Sequence, residues 1–322
     1  SSRRTGIVIS EIMYHPADRE DGKDLEYVEL FNTTPFTNQL AGYLLAGSIA
    51  YTFPESATIG PFGYLVVARE PASVQTVYGI SAVHGPFEGN LPNSAGRVRL
   101  RRAQARNRQD DAILLEVNYS DQPPWPVAAD GAGHSLVLSR ASYGEDDPRA
   151  WGVSVSTNGS PGRAEALTTS AYTNVVINEF LAHTDDPLWD FIELFNTATQ
   201  EIDISGCMLS DSVSTNKFII PDATIIPGRG WKVYFAVTNQ AGATNLTFNL
   251  SSAGEDIVFR APDGRVVDAI RFAAQENSIS AGRYPDGASD FHELSSRTPG
   301  ATNAALRIRE VANEHDIPIV ED

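Results

Sequence analysis

The sequence predicts an all-β protein built from two tandem antiparallel β-sandwiches, and three observations carry that expectation. The chain repeats itself, its apolar residues fall in short β-type runs, and no stretch of helical period separates those runs. Residues 26–33 read Glu-Tyr-Val-Glu-Leu-Phe-Asn-Thr and residues 190–197 read Asp-Phe-Ile-Glu-Leu-Phe-Asn-Thr. Val8-Ile9-Ser10-Glu11-Ile12 precedes the first copy and Val176-Ile177-Asn178-Glu179-Phe180 the second. Leu40-Ala41-Gly42-Tyr43 and Ile204-Ser205-Gly206-Cys207 follow. Ser160-Pro161-Gly162 and Thr298-Pro299-Gly300 stand last. Order and spacing persist over more than a hundred residues, which marks a duplicated domain rather than a short solenoid repeat.

The elements follow from local pattern. Ile7-Val8-Ile9, Tyr27–Phe31, Tyr64-Leu65-Val66-Val67, Arg97–Leu100 and Ile113–Val117 are short and rich in β-branched or aromatic residues. Gly60-Pro61-Phe62-Gly63 and Pro92–Gly96 supply turn chemistry between them. The second copy offers Val175-Val176-Ile177, Phe191–Phe195, Trp231–Phe235, Asp256–Arg260 and Val266–Ile270. Without intervening helices a parallel sheet of crossover units is disfavoured, and an antiparallel sandwich is favoured. The expected boundaries are 1–165 for the first sandwich, 166–304 for the second and 305–322 for an acidic tail outside the repeat. The tail pattern Ala305–Ala312 suits an amphipathic helix.

Bulk properties exclude several classes. Of 322 residues, 41 are acidic and 24 basic, a net charge of −17 that repels phosphate backbones. No apolar run approaches the ~20 residues that span a bilayer. The single cysteine, Cys207, aligns with Tyr43 in an apolar setting and reads as a small buried hydrophobe. The chain opens on Ser1 with no visible signal-peptide pattern, and is expected to be a piece of a larger protein.

Taken together, the motif Val-Ile-(Ser/Asn)-Glu, the (Glu/Asp)-aromatic-(Val/Ile)-Glu-Leu-Phe-Asn run, the (Leu/Ile)-x-Gly turn, Tyr51-Thr52-Phe53-Pro54 with Ile59–Tyr64, and the closing (Ser/Thr)-Pro-Gly resemble the lamin-tail domain. The resemblance occurs twice, at about 7–165 and 175–304. It implies immunoglobulin-like sandwiches serving as accessory or interaction modules. The variant Ile9–Pro16 is similar to copies in large exported bacterial proteins, so an extracellular or cell-surface setting is expected.

Candidate sites weigh against that non-catalytic expectation. Glu11, His15 and Glu29, repeated as Glu179, His183 and Glu193, invite acid–base or metal chemistry. Four residues on a strand span ~13 Å, so Glu11 and His15 do not converge. The carboxylates instead need pairing or hydrogen bonds, because burying them bare is costly. Asp18, Glu20, Asp21 and Asp24 form an acidic loop dense in hard oxygen ligands, so calcium is the one cofactor to consider. Set against an EF-hand register, Ala17 and Arg19 fall where Asp ligands belong, and a solvated loop is expected. Arg97, Arg99, Arg101, Arg102, Arg106 and Arg108 form a basic hairpin. Without interleaved aromatics it argues weakly for nucleic acid and better for a solvated sheet face. No Gly-x-Ser-x-Gly, phosphate loop, His-Glu-x-x-His or paired Cys-x-x-Cys occurs. The expected function is a non-catalytic structural or protein-interaction module, with protein or cell-surface glycan as partner. The alternatives are accessory domains positioning a catalytic module outside this chain, and nucleic-acid binding through the Arg97–Arg108 hairpin.

Overall fold

The computed structural model describes residues 5–102, 112–166, 170–237, 242 and 244–308. Arg106, Arg108 and most of the tail lie outside them. The architecture is all-β with antiparallel pairing almost throughout, as the patterning predicts. Contacts group the chain into two compact units. The first holds residues 1–170 with 206–219 and 256–271. The second holds 171–205, 220–255 and 272–322.

In the first copy, one sheet is centred on the strands Ile7–Met13 and Tyr27–Asn32. Tyr64–Ala68 flanks one side, and Leu136–Leu138 then Trp151–Val153 the other. The facing sheet runs Ala112–Ser120, Ala95–Arg102, Tyr43–Gly47, Ile49–Thr52 and Glu88–Gly89. Between them lies one apolar core that includes Ile9, Val28, Leu30, Leu45, Val98, Val117, Trp125 and Trp151. Alternation turns the strand residues among them to this core and their neighbours to the opposite face, which on the central strands is also buried, Met13, Tyr27 and Val66 packing there with Val74.

One element departs from the sequence reading. Pro71–Tyr78 is a two-turn α-helix. Pro71 at its start needs no amide partner, and Gly79 ends it at φ 67°. Eight residues with only Val74 fully buried present too little periodicity to show in a window tuned to longer helices.

The second unit repeats the centre of the first sheet: Val175–Leu181 pairs with Phe191–Asn196, flanked by Trp231–Phe235 and by Ala281–Arg283 with Phe291–Glu293. The four-stranded sheet Phe218–Ile219, Met208–Ser210, Gly254–Arg260 and Val266–Ala273 supplies the second copy's other strands. Cys207 is buried beside it.

The repeated asparagine acquires a physical role. Asn32 is fully buried at the end of its strand. Its Nδ2 donates to the carbonyls of Phe36 at 2.7 Å, Ile59 at 3.2 Å and Gly60 at 2.7 Å, and its Oδ1 accepts from the Thr34 amide at 3.0 Å. Asn196 does the same with Gln200, Ile226, Pro227 and the Ala198 amide. One side chain thus satisfies backbone groups of two loops that no sheet ladder reaches. Gly42 and Gly206 occupy the left-handed region at φ 76° and 73°, which is why a glycine stands at that turn in both copies.

Candidate functional site: a carboxylate pair clamped by the closing loop

Glu11 and Glu29 are direct cross-strand partners, as are Glu179 and Glu193. In each copy the register shifts just before the first acid, between Ile9 and Glu11 and between Ile177 and Glu179. This β-bulge inserts Ser10 or Asn178 as an extra residue and re-aims the following side chain. Two like charges placed opposite each other in a sheet repel. Both acids of the first copy are also only 1% exposed.

The partners come from far along the chain. The Ser160 amide donates to Glu11 Oε1 at 2.9 Å, and the Gly162 amide donates to Glu29 Oε2 at 2.6 Å. Tyr27 Oη donates to Glu11 Oε1 at 2.6 Å, Ser135 Oγ also donates there, and Ser10 Oγ donates to Glu29 Oε1 at 2.7 Å. The second copy repeats the clamp. The Thr298 amide donates to Glu179 Oε1 at 3.1 Å, and the Gly300 amide to Glu193 Oε2 at 2.6 Å. Gly162 and Gly300 both stand at φ 82°. The (Ser/Thr)-Pro-Gly motif is therefore the partner of the two glutamates. It lays two amides on two carboxylates and closes the sandwich.

Burial still dominates the electrostatics. Desolvation, followed by the charge of Glu11, pushes the Glu29 carboxyl up to about 8. Desolvation likewise pushes Glu193 up to about 8 against the hydrogen bonds of Asn178 and Gly300. Glu11 and Glu179 are raised for the same first cause, with hydrogen bonds opposing it.

The histidines do not join these acids. His15 Nδ1 lies 2.5 Å from Asp130 Oδ1, and His183 Nδ1 lies 2.9 Å from the Gln275 carbonyl. In the acidic loop, Asp21 binds Arg19 at 2.7 Å and Lys23 at 2.8 Å, while Asp24 Oδ1 accepts from the Glu26 amide at 2.7 Å. Asp18 instead lines a separate recess with His15 and Pro16. The structure thus directs Asp18, Asp21 and Asp24 to different neighbours. In the basic hairpin, Arg99 pairs across the strand with Glu116, Arg97 Nε donates to Asn118 Oδ1 at 2.6 Å, and Arg102 lies 5.6 Å from the centre of the Tyr43 ring. Val98 and Leu100 between them are buried, so the arginines on this strand alternate with core residues as expected.

A cavity of about 260 Å3 opens beside the first carboxylate pair. Ser10, Glu29 and Glu165 line it together with Val8, Leu138 and the stacked rings of Phe31 and Tyr64, whose centres are 4.7 Å apart. Glu165 was not singled out by sequence reasoning. It sits three residues after Gly162, where the second copy has Asn303, and that exchange within a repeat was the available signal.

The model of the Lamin Tail Domain family matches residues 1–121 and 168–274. No curated protein matches the chain. Both family matches stop before the Ser160–Gly162 and Thr298–Gly300 loops, which the structure binds to the paired acids inside the matched residues of each copy. The chain belongs to the lamin tail domain family and carries that domain twice in tandem.

Proposed function

We propose that this chain is a non-catalytic interaction and spacing module of an exported or cell-surface protein. The observation that carries the reading is the fate of the most chemically promising groups. In both copies the glutamate pair is bound by backbone amides of the domain's own closing loop. Acids used in this way in two copies support a fold built twice rather than an active site built twice.

The surface offers a contact region at one end of the first sandwich. Phe36 is 73% exposed and Phe62 is 57% exposed, on two loops joined through Asn32. The equivalent positions in the second copy are the polar Gln200 and Arg229. End loops of such sandwiches commonly carry binding. Exposed aromatics suit contact with a protein or a glycan. Among the described residues, no helix is long and apolar enough to cross a membrane.

Two measurements test the reading. Protease added outside intact source cells should remove the domain epitope, and protection of that epitope until lysis would overturn the surface assignment. A photo-crosslinking amino acid at position 36 should capture a surface protein or glycan, whereas the same probe at 229 should not. Equal capture at both positions would overturn the role of the aromatic end.

A further inference from the structure

The two copies differ at three positions that touch one another. In the second copy Asn178, Asp286 and Asn303 form a closed network. Asn178 Nδ2 donates to Asp286 Oδ1 at 3.0 Å, and the Asn303 amide donates to the same oxygen at 3.0 Å. Asn303 Nδ2 donates to the Asn178 carbonyl at 3.2 Å. The Gly287 amide completes the plug by donating to Asn178 Oδ1 at 3.0 Å, with Gly287 packed against Phe195 and Thr197. Strand register places Ser10 opposite Asn178 in the alignment of the copies, the count from Pro-Gly places Glu165 at Asn303, and Ala141, reached by counting on from the paired strand into a hairpin loop that is longer in the first copy, lines the same cavity as both. Two long polar side chains have become short ones, and the asparagine has become a carboxylate. The cavity of about 260 Å3 is the consequence.

We infer that this cavity is a binding site for an alkylammonium group, of the kind carried by a free primary amine or a lysine side chain. The floor is acidic. Glu11 and Glu29 are each 1% exposed, and Glu165 contributes a buried Oε1 with no hydrogen-bond partner among the described residues, its Oε2 accepting from the Val155 amide at 3.0 Å. An ammonium brings three donors and no acceptor, which is the complement of that floor. The walls are Val8, Leu138 and Ala141 with the stacked Phe31 and Tyr64 rings, suited to an alkyl stem and to cation–π attraction. A bare metal ion would need a shell of oxygen ligands, and these walls are apolar. The volume is several times the ~30 Å3 share of one water. The inference stands independently of where the protein resides.

The protonation state gives the site a signature. Glu29, raised by burial and by the charges of Glu11 and Glu165, holds a proton in much of the population at neutral pH. An arriving ammonium favours the ionised form, so binding releases a proton from Glu29 to the buffer. Glu11, Glu165 and Tyr64 are the other titratable groups lining this cavity, and Tyr27, on the same strand as Glu29, donates to Glu11 behind it.

The test uses the full chain and n-butylammonium, followed by calorimetry at pH 8. Saturable one-to-one binding is expected, with proton release measured by repeating the titration in buffers of different ionisation enthalpy. The neutral isostere n-butanol should bind at least tenfold more weakly, and affinity for the ammonium should fall by up to about tenfold from pH 7 to pH 6. The triple variant Ser10→Asn, Ala141→Asp, Glu165→Asn rebuilds the second copy's plug and should abolish binding while the thermal melt is retained. Should that variant not fold, the reverse exchange Asn178→Ser, Asp286→Ala, Asn303→Glu should add a second equivalent of binding. Nα-acetyl-lysine methylamide distinguishes the sources: comparable affinity assigns a partner's lysine, and binding of butylammonium alone assigns a free amine. Equal affinity for butanol and butylammonium, or undiminished binding to a folded triple variant, would overturn the site.

Discussion

The Gly162 amide lies 2.6 Å from Glu29 Oε2, across 133 positions of sequence. The Gly300 amide repeats the contact at 2.6 Å to Glu193 Oε2. This bond turns the last motif of each copy into the lock on its central strands.

Stability should decline from mildly acid to mildly alkaline pH. Glu29 and Glu193 are raised to about 8 in the folded protein, from an ordinary value of 4.5. A raised folded-state value means the contribution is fully present below about 4.5 and is lost as pH rises through about 8. The full span is on the order of 5 kcal/mol for each acid, using ~1.4 kcal/mol per unit. Urea midpoints measured from pH 4 to pH 9 should fall through this window and level off above it. Glu29→Gln should flatten the part of the slope that belongs to the first copy. A wild-type midpoint that climbs over the same window would contradict the assignment.

Two glycines three residues apart should respond very differently to alanine. Gly162→Ala keeps its amide and meets only the Ile80 side chain, at 3.6 Å, so its cost is the left-handed backbone, about 1–2 kcal/mol. At Gly159 an added Cβ would overlap Tyr27 Oη and Glu11 Oε1 inside the clamp, at φ 83°. Gly159→Ala should therefore destabilise by several times more, on the order of 4 kcal/mol. Thermal melts of the two variants should differ clearly, with Gly159→Ala much the lower.

Asn32→Ala should cost roughly 2–4 kcal/mol. It leaves the carbonyls of Phe36, Ile59 and Gly60 and the Thr34 amide without their shared partner in a buried position. Asn32→Asp keeps the acceptor for Thr34 and removes the donors, so it should recover little. Equilibrium unfolding that places Asn32→Asp near wild type would show that the accepting oxygen matters more than the donors.

The arginine strand should not behave as a nucleic-acid surface. Arg99 is engaged by Glu116 and Arg97 by Asn118. Duplex DNA of mixed sequence should show no retention in gel shift at 50 mM salt, and Arg97→Ser with Arg99→Ser should change stability by at most about 1 kcal/mol. Retention that disappears in this double variant would reverse the conclusion.

Calcium should leave the melting temperature unchanged. The carboxylate of Asp21 is occupied by Arg19 and Lys23, and Asp24 turns to the Glu26 amide. A calcium-dependent rise in melting temperature that EDTA reverses, and that Asp21→Asn removes, would show that the loop rearranges to bind the ion.

Much of the architecture was legible in the chain, because it depends on local pattern repeated twice. Two-residue alternation in Tyr27–Phe31, the turn glycines Gly42 and Gly206, and the strand-ending Asn32 and Asn196 each follow from the geometry of a few neighbouring residues. The short helix Pro71–Tyr78 escaped because eight residues carry too little periodicity. The need of Glu11 and Glu29 for hydrogen bonds could be argued from the cost of burying a carboxylate, but the donors could not be named.

Sequence alone determined that the protein is a duplicated all-β domain, that the same acids recur in both copies, and that Ser-Pro-Gly and Thr-Pro-Gly end them. Only the tertiary structure decided that those ends bind those acids, and that Ser10, Ala141 and Glu165 meet around one cavity while Asn178, Asp286 and Asn303 close its counterpart. Strand and turn preferences act over a few residues and leave their mark in local pattern. Contacts spanning 130 residues or more, such as Gly162 with Glu29, exist only once the sheet has brought its strands together.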